Sequence, residues 1–515
     1  MKPARDLIAP FVVTTCIALP WLNPFTSGPN STVAPFIFAW FGASGAMLCW
    51  AVLPQTGVQR LQTVAGAWTV AACVSAVLGL LQYFDISRDW APWVNQPGAG
   101  QAFGNLRQRN QFATLCSMGL AALGWWVQQG AAALGPAPYQ TVQKRWQIAA
   151  LPLAALLGSA IAASGSRTGF VQLLLLLGLA WLWRVAQREA PVRQTPAGWV
   201  FAVAVLAYGL AVVALPRLAG LDASVLDRLS ENSGQCTSRL NLWRNVLYLI
   251  AQKPLWGWGW GELDYAHFVT LYDAPWAGLR FCEILDNAHN LPLHLAVELG
   301  VPVAVVCCTA VLVWIQRQRP WRESRPERQL AWAVLAVIGV HSLLEYPLWY
   351  GQFQIAALLC LWVLKAFPQA SVGSLAPPAP ALAWGRPALV VGMTIGLCCA
   401  VASRSYLQVS QPYLPPAERA AEFRQASWAQ LRNTWMFSAQ VDFAELAVTP
   451  VTPVTAERIT TLATELLHFS PEPMVVQKLW QSAQMQGKTE TVQWLAPRFE
   501  AAFPDAYAQW LHQNK

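Results

Sequence analysis

The sequence predicts an all-α, polytopic membrane protein with about eleven membrane-spanning helices and a polar helical tail. Three observations predict it. Of 515 residues, 55% are hydrophobic and only 12% are charged, against about 25% charged in soluble globular chains, and the mean hydropathy is +0.35. The apolar residues come in runs of roughly 16–22, long enough to cross a bilayer as helices. The basic residues fall in alternate short loops between those runs, as cytoplasmic loops do. The net charge of +8 is thus a topology signal and gives no reason to expect a nucleic-acid partner.

The predicted spans are 7–23, 34–54, 62–84, 111–129, 146–164, 169–186, 198–217, 296–316, 329–346, 351–367 and 387–403. The first follows Lys2 and Arg5 without a small-residue cleavage site, so it is expected to be retained rather than removed as a signal peptide. One set of loops carries Lys2, Arg5, Arg60, Lys144, Arg145, Arg184, Arg188 and Arg193. The same set continues with Arg317, Arg319, Arg322, Arg325, Arg328, Lys365 and Arg386. These loops are assigned to the cytoplasm. The opposite face receives the loop 85–110, the turn from Ser164 to Thr168, the long loop 218–292 and the tail after Arg404. Every cluster of chemically capable side chains lies in or beside one of these four, which predicts a single active site facing away from the cytoplasm. Many of the 28 Trp sit near span ends, as interfacial belts require.

Composition places a domain boundary near residue 403: a transmembrane domain over 1–403, whose loop 218–292 carries the active site, then a helical domain over 404–515. In the tail, Ser470-Pro471-Glu472 reads as an N-cap followed by Pro in the first turn, and Gly487 as a helix stop. Amphipathic segments at 416–432 and 455–468 suggest helical hairpins like those of tetratricopeptide repeats, without a clean 34-residue period.

Nine of the 11 Cys (Cys16, Cys49, Cys73, Cys116, Cys307, Cys308, Cys360, Cys398 and Cys399) lie in predicted spans and act there as small apolar residues. Cys236 and Cys282 lie in the long loop and form a candidate disulfide if that loop faces an oxidising compartment. No metal-ligand spacing accompanies them, and no metal or other cofactor is expected.

The chemistry is read from polar residues at span ends, which membrane proteins retain mainly for function. His289, in Asp286-Asn287-Ala288-His289-Asn290, can take a proton from a hydroxyl near neutral pH; Asn290 flanks it as a substrate contact, and His294 is read as packing. Arg167, in a turn of small residues, suits bidentate binding of an anionic head group. Arg239 and Arg244 lie on a segment, 238–250, whose apolar residues recur at three and four, read as a helix lying on the membrane. Trp258, in the alternating Trp-Gly run, is read as an interfacial or sugar-stacking platform. Gln108 and Asn110 precede the fourth span, and Glu345 and Tyr346 end the ninth, where Pro347 turns the chain back.

These motifs (GNLRQRNQFATL from Gly104, SGSRTGF from Ser164, SRLNLW from Ser238, KPLWGWGWGEL from Lys253, DNAHNLPLHLAVELG from Asp286, HSLLEYPLWY from His341) resemble those of the bacterial protein O-oligosaccharyltransferases, the pilin-glycosylating enzymes of the O-antigen ligase and polymerase superfamily. The resemblance covers about residues 60–365, and the tail is similar to the extra domain of that branch. It implies a multi-pass protein of the bacterial inner membrane with its active site and tail in the periplasm. The implied reaction is metal-independent transfer of a preassembled glycan from undecaprenyl diphosphate to Ser or Thr hydroxyls of pilin or another periplasmic protein. By position, His289, Gln108 and Tyr346 match the family's essential His, Gln and Tyr. Arg167 and Arg239 match its diphosphate-contacting arginines, with Arg244 close enough to be the counterpart of Arg239. On this reading His289 orients or deprotonates the acceptor, the arginines stabilise the leaving diphosphate, and Gln108 and Tyr346 position donor groups. Two alternatives stay open: O-antigen ligation to lipid A–core, and a lipid-linked glycan transporter. A transporter is expected to show internal repeats and ionisable residues at span centres, whereas here the polar residues gather at one face.

Overall fold

The computed structural model describes residues 2–25, 33–53, 55–132, 139–186, 197–221, 235–369, 385–434 and 436–513. Arg188, Arg193 and residues 222–234 of the long loop lie outside the described residues. What is described is helical, in two compact units: residues 1–231 with 314–400, and residues 232–313 with 401–515.

The chain runs through α1 (Lys2–Leu22), α2 (Val33–Val52), α3 (Gly57–Tyr83), α4 (Arg109–Ala132), α5 (Tyr139–Ser164), α6 (Arg167–Ala186), α7 (Gly198–Leu218), α8 (Arg239–Gln252), α9 (Leu263–Val269), α10 (Leu291–Leu299), α11 (Val301–Gln318), α12 (Pro326–Ser342), α13 (Gly351–Ala366) and α14 (Gly385–Ser410). The tail adds α15 (Trp428–Arg432), α16 (Ser438–Val448), α17 (Ala456–Leu466), α18 (Pro473–Met485), α19 (Thr489–Ala502) and α20 (Pro504–Gln513). Among the described residues seven helices are long and apolar enough to cross a membrane: α2, α3, α5, α6, α7, α11 and α14. The chain is a multi-pass, all-α membrane protein. The other four expected spans correspond to α1 and α13, whose apolar stretches are shorter, and to α4 and α12. In the first unit α4 packs against α3, α5, α6, α7 and α12. A helix so enclosed can carry polar side chains, and Gln111, Thr114 and Ser117 are buried on it.

The expected eighth span, 296–316, is corrected. It is two helices, α10 and α11, broken at Gly300, whose φ is +90°. A Cβ at Gly300 would lie 2.1 Å from the Leu255 carbonyl oxygen, and one at Gly257 2.3 Å from that of Glu298. Backbones this close admit only glycine. The Trp-Gly run lies along the break: the Trp258 and Gly259 amides donate to the carbonyls of Val297 and Glu298, and the Val301 amide to that of Pro254. The run therefore satisfies carbonyls that the interrupted helix leaves open.

The second unit has two main apolar cores. One joins Leu242, Val246 and Leu249 of α8 to Leu263, Phe281, Leu285, Ala288 and Val297. The apolar face of α8 thus meets protein, which corrects the expected membrane-surface helix; only Leu240 and Leu247 of its large apolar residues are exposed. The other core joins Phe268 of α9 to tail residues including Leu462, Leu466, Val475, Leu479 and Phe499. His468 Nδ1 meets Glu262 Oε2 at 2.7 Å, its ring stacks on Tyr265 at 3.7 Å, and Arg498 donates to the Val269 carbonyl. The tail thus packs on the same α9 that helps enclose the first core.

Two tail boundaries differ from expectation. Helix α18 starts with Pro473 after Glu472, not after Ser470, because the Ser470 hydroxyl donates to the Glu472 carboxylate and caps no amide. The segment 416–432 forms a 3₁₀ turn at Ala421–Phe423 and the five-residue α15. Gly487 ends α18 as expected, with φ +68°.

Candidate active site

In the first unit the loop before α4 is held by two buried amides. Gln82 donates to the carbonyls of Asn95 and Gly104 and accepts from the Phe103 and Gly104 amides. Asn105 donates to Leu22 and Trp93 and accepts from Asn95. Both amides are almost fully used, so the loop leaves them as a built segment. Arg107 then adopts φ +59°. Beyond it, a cavity of about 300 Å³ is lined by Arg107, Gln108, Gln111, Tyr346, Tyr350 and Gln352, among others. Gln108 and Tyr346, which are 238 positions apart in the chain, therefore share one cavity. The Tyr346 and Tyr350 rings stack at 5.9 Å.

Arg167 opens α6 and is exposed. The residue before it, Ser166, caps the helix by accepting from the Gly169 amide at 3.0 Å. The Ser166 hydroxyl donates to Asn110 Oδ1 at 2.7 Å, and Asn110 Nδ2 donates to Glu345 Oε1 at 3.1 Å. Asn110 and Glu345 are therefore bonded to protein.

In the second unit His289 stands at φ +49°, a left-handed conformation that His adopts more readily than most residues. Its amide donates to Asn287 Oδ1 at 2.9 Å. The residue that caps α10 is Asn290, whose side-chain oxygen accepts from the Leu293 amide at 3.1 Å; that bond explains Asn290 structurally. The His289 ring is half-buried. His294 is buried, 3.4 Å from Glu298, as packing predicts.

The segment leading to His289 is tied to α8 at several points. Cys236 and Cys282 are disulfide-bonded. Asn245 donates to the carbonyls of Ala277 and Leu279 and accepts from the Phe281 amide. Trp243 Nε1 donates to the Ala288 carbonyl at 3.1 Å. His267 Nε2 lies 3.0 Å from the Phe281 carbonyl and Nδ1 lies 2.6 Å from the Tyr272 hydroxyl. A carbonyl only accepts, so Nε2 carries the proton and Nδ1 accepts from the tyrosine. Burial holds His267 well below the usual histidine range, and the charge of Arg280 adds to this. Burial also pushes the Asp264 carboxyl up to about 7, with Asp286 and Glu262 adding to the effect.

Arg239 and Arg244 are both exposed on α8. Arg239 lies in the first turn, which Ser238 caps; the aliphatic stem of Arg244 runs beside Gly278. Trp258 is corrected as an open platform: its indole donates to the Leu249 carbonyl at 3.0 Å and Lys253 lies over its ring at 4.0 Å. The exposed rings are Trp256 and Trp260. Sequence reasoning gave no role to Ser166, Trp243 or Asn245. Asn245 had one signal: with Asn241 it puts an amide on the buried, mainly apolar stripe of α8. Among the described residues no group of three His, Cys, Asp or Glu side chains gathers as a metal site requires.

Comparison with known proteins matches three family descriptions to successive parts of the chain. Residues 102–127 match a protein glycosylation ligase family, residues 152–308 an O-antigen ligase family, and residues 329–515 the C-terminal part of a virulence factor membrane-bound polymerase family. A general O-oligosaccharyltransferase of Acinetobacter baylyi is 24% identical over 308 residues, covering 57% of this chain and 49% of that protein. A ComP-specific O-oligosaccharyltransferase of the same organism is 29% identical over 141 residues, covering 27% of this chain and 24% of that protein. The matches thus span at most about half the length of these relatives.

Proposed function

We propose that the chain acts as a protein O-oligosaccharyltransferase of the O-antigen ligase superfamily, a reading supported by its matches to both kinds of ligase. The donor is a preassembled glycan on undecaprenyl diphosphate, and the acceptor a Ser or Thr hydroxyl of a pilin or other periplasmic protein. The protein lies in the inner membrane with its reactive face and tail in the periplasm. The observation that carries this reading is where the matches fall. The protein glycosylation ligase match contains Gln108, and the O-antigen ligase match contains Arg167, Arg239, Arg244 and His289. Tyr346 falls in the third.

The acceptor hydroxyl oxygen attacks the anomeric carbon, the bond from that carbon to the phosphate oxygen breaks, and the diphosphate leaves with the electron pair. The hydroxyl proton passes to the His289 imidazole, which can hold it near neutral pH. Arg167 and Arg239 balance the charge that grows on the leaving diphosphate, with Arg244 on the same helix as the alternative to Arg239. Gln108 and Tyr346, on one cavity wall, hold the sugar–diphosphate junction.

The test uses cells lacking their own ligase and transferase, supplied with a lipid-linked glycan and a candidate pilin. The expected result is a glycan-sized gain in the intact mass of the pilin with wild type, lost with His289→Asn and with Arg167→Ala. Newly extended lipopolysaccharide with unmodified pilin would move the chain to ligation on lipid A–core, the reading that the O-antigen ligase match favours. Change in neither acceptor would count against both.

A further inference from the structure

We propose that Asn110 is a positioning residue that sets Gln108, Arg167 and Tyr346 in register by cross-linking the three segments that carry them; this rests on the function proposed above. Asn110 lies in the first turn of α4, two residues after Gln108. Its two partners are Ser166, which precedes Arg167, and Glu345, which precedes Tyr346. One side-chain amide thus reaches the immediate neighbours of two candidate residues and stands beside a third. Glu345 and Ser166 are 4% and 1% exposed and Asn110 is half-buried, so each bond has one end shielded from water, which strengthens it. A carboxylate can only accept, so Nδ2 must face Glu345 and Oδ1 must face Ser166, which fixes the amide in one orientation.

The same three helices are tied again one turn deeper. The Thr114 hydroxyl, bonded to the Asn110 carbonyl at 2.8 Å, lies 3.0 Å from His341 Nδ1 of α12. Gln172 of α6 donates to Thr114 at 2.8 Å and to the Val337 carbonyl of α12 at 3.1 Å. The deeper layer holds the helices together, and the upper layer sets their ends, where Arg167 and Tyr346 stand.

Asn110→Asp puts a carboxylate where a donor faced Glu345. Asn110→Asp with Glu345→Gln restores a donor–acceptor pair in the reverse sense and keeps the net charge. The purified full chain in lipid vesicles is measured for glycan transfer per folded molecule, well below its unfolding temperature, in wild type, both single variants and the double variant. Asn110→Asp is expected to lower kcat about ten-fold or more, with the KM for acceptor changed less than about two-fold, and the double variant to recover most of the loss. A purely structural role would lower the unfolding midpoint and leave kcat per folded molecule unchanged. Asn110→Asp as active as wild type, or a double variant no better than Asn110→Asp, overturns the proposal. If wild type itself transfers nothing, the functional reading fails, and the unfolding midpoints of the same four proteins still decide the cross-link. Coupling between positions 110 and 345 upholds it; simple additivity overturns it.

Discussion

Trp243 donates its indole N–H to the carbonyl of Ala288 at 3.1 Å, and the next residue, His289, turns into the left-handed region with φ +49°. A tryptophan 46 positions away in the chain therefore sets the backbone from which the imidazole projects. Trp243→Phe keeps the apolar bulk and removes the donor. The lost bond corresponds to about 1 kcal/mol. The expected outcome is a several-fold fall in the transfer rate with little change in the amount of protein extracted from membranes, checked by steady-state transfer kinetics.

His289→Asn tests the imidazole more cleanly than His289→Ala. Asn tolerates positive φ, whereas Ala at this position adds backbone strain to the loss of the ring. Complete loss of transfer in His289→Asn, with an unfolding midpoint close to that of wild type, is the expected result. Activity near the wild-type level would remove His289 from the proposed reaction.

Gly300→Ala places a Cβ 2.1 Å from the Leu255 carbonyl oxygen at a residue with φ +90°. The backbone conformation alone is expected to cost roughly 1–3 kcal/mol, and the displaced Trp-Gly run more. A marked fall in the thermal midpoint of the detergent-purified protein is expected, together with loss of transfer, because α10, which follows Asn290, is anchored at this break.

The Cys236–Cys282 disulfide closes a loop over a sequence separation of 46. Chain-entropy reasoning assigns such a closure about 4 kcal/mol, within the usual range for native disulfides. Cys236→Ser with Cys282→Ser, or reduction of wild type, is expected to loosen α8 and the segment before His289. Hydrogen exchange over 270–290 should rise while that over α3 and α4 stays unchanged.

Asp264 makes a prediction about pH. Its pKa is raised by burial to about 7 from an ordinary value of 3.8. For a carboxyl whose folded pKa lies above its unfolded one, the contribution to stability is fully present below the unfolded pKa and is lost as pH rises to the folded pKa. Asp264→Asn keeps the acceptor for the Tyr265 amide and never ionises. Its stability relative to wild type should therefore grow between pH 5 and pH 7, by about 1.4 kcal/mol per pH unit at most, and level off above pH 7. Thermal midpoints of both proteins across that range check the sign; a constant difference would mean that Asp264 does not titrate there.

The sequence by itself determined the class of molecule. Long apolar runs in a chain with few charges leave hydrogen-bonded helices in a bilayer as the structure, and α2, α3, α5, α6 and α7 follow the runs closely. It also marked the polar motifs in which the candidate residues lie, because polar side chains at span ends stand out against an apolar background. Tertiary structure decided which polar residues hold the fold together. Asn105 and Asn110 lie five positions apart in one motif; the first clamps a loop, and the second links α4 to the ends of α6 and α12. Asn290 caps a helix while His289 beside it does not. The Trp-Gly run looked like a binding platform, yet its Gly257 is required by close approach to a helix break at Gly300 that no local pattern announces. The reason is the same in each case. A hydrogen-bonding side chain's role depends on the partner it meets, and for Asn110 those partners lie 56 and 235 positions away in the chain.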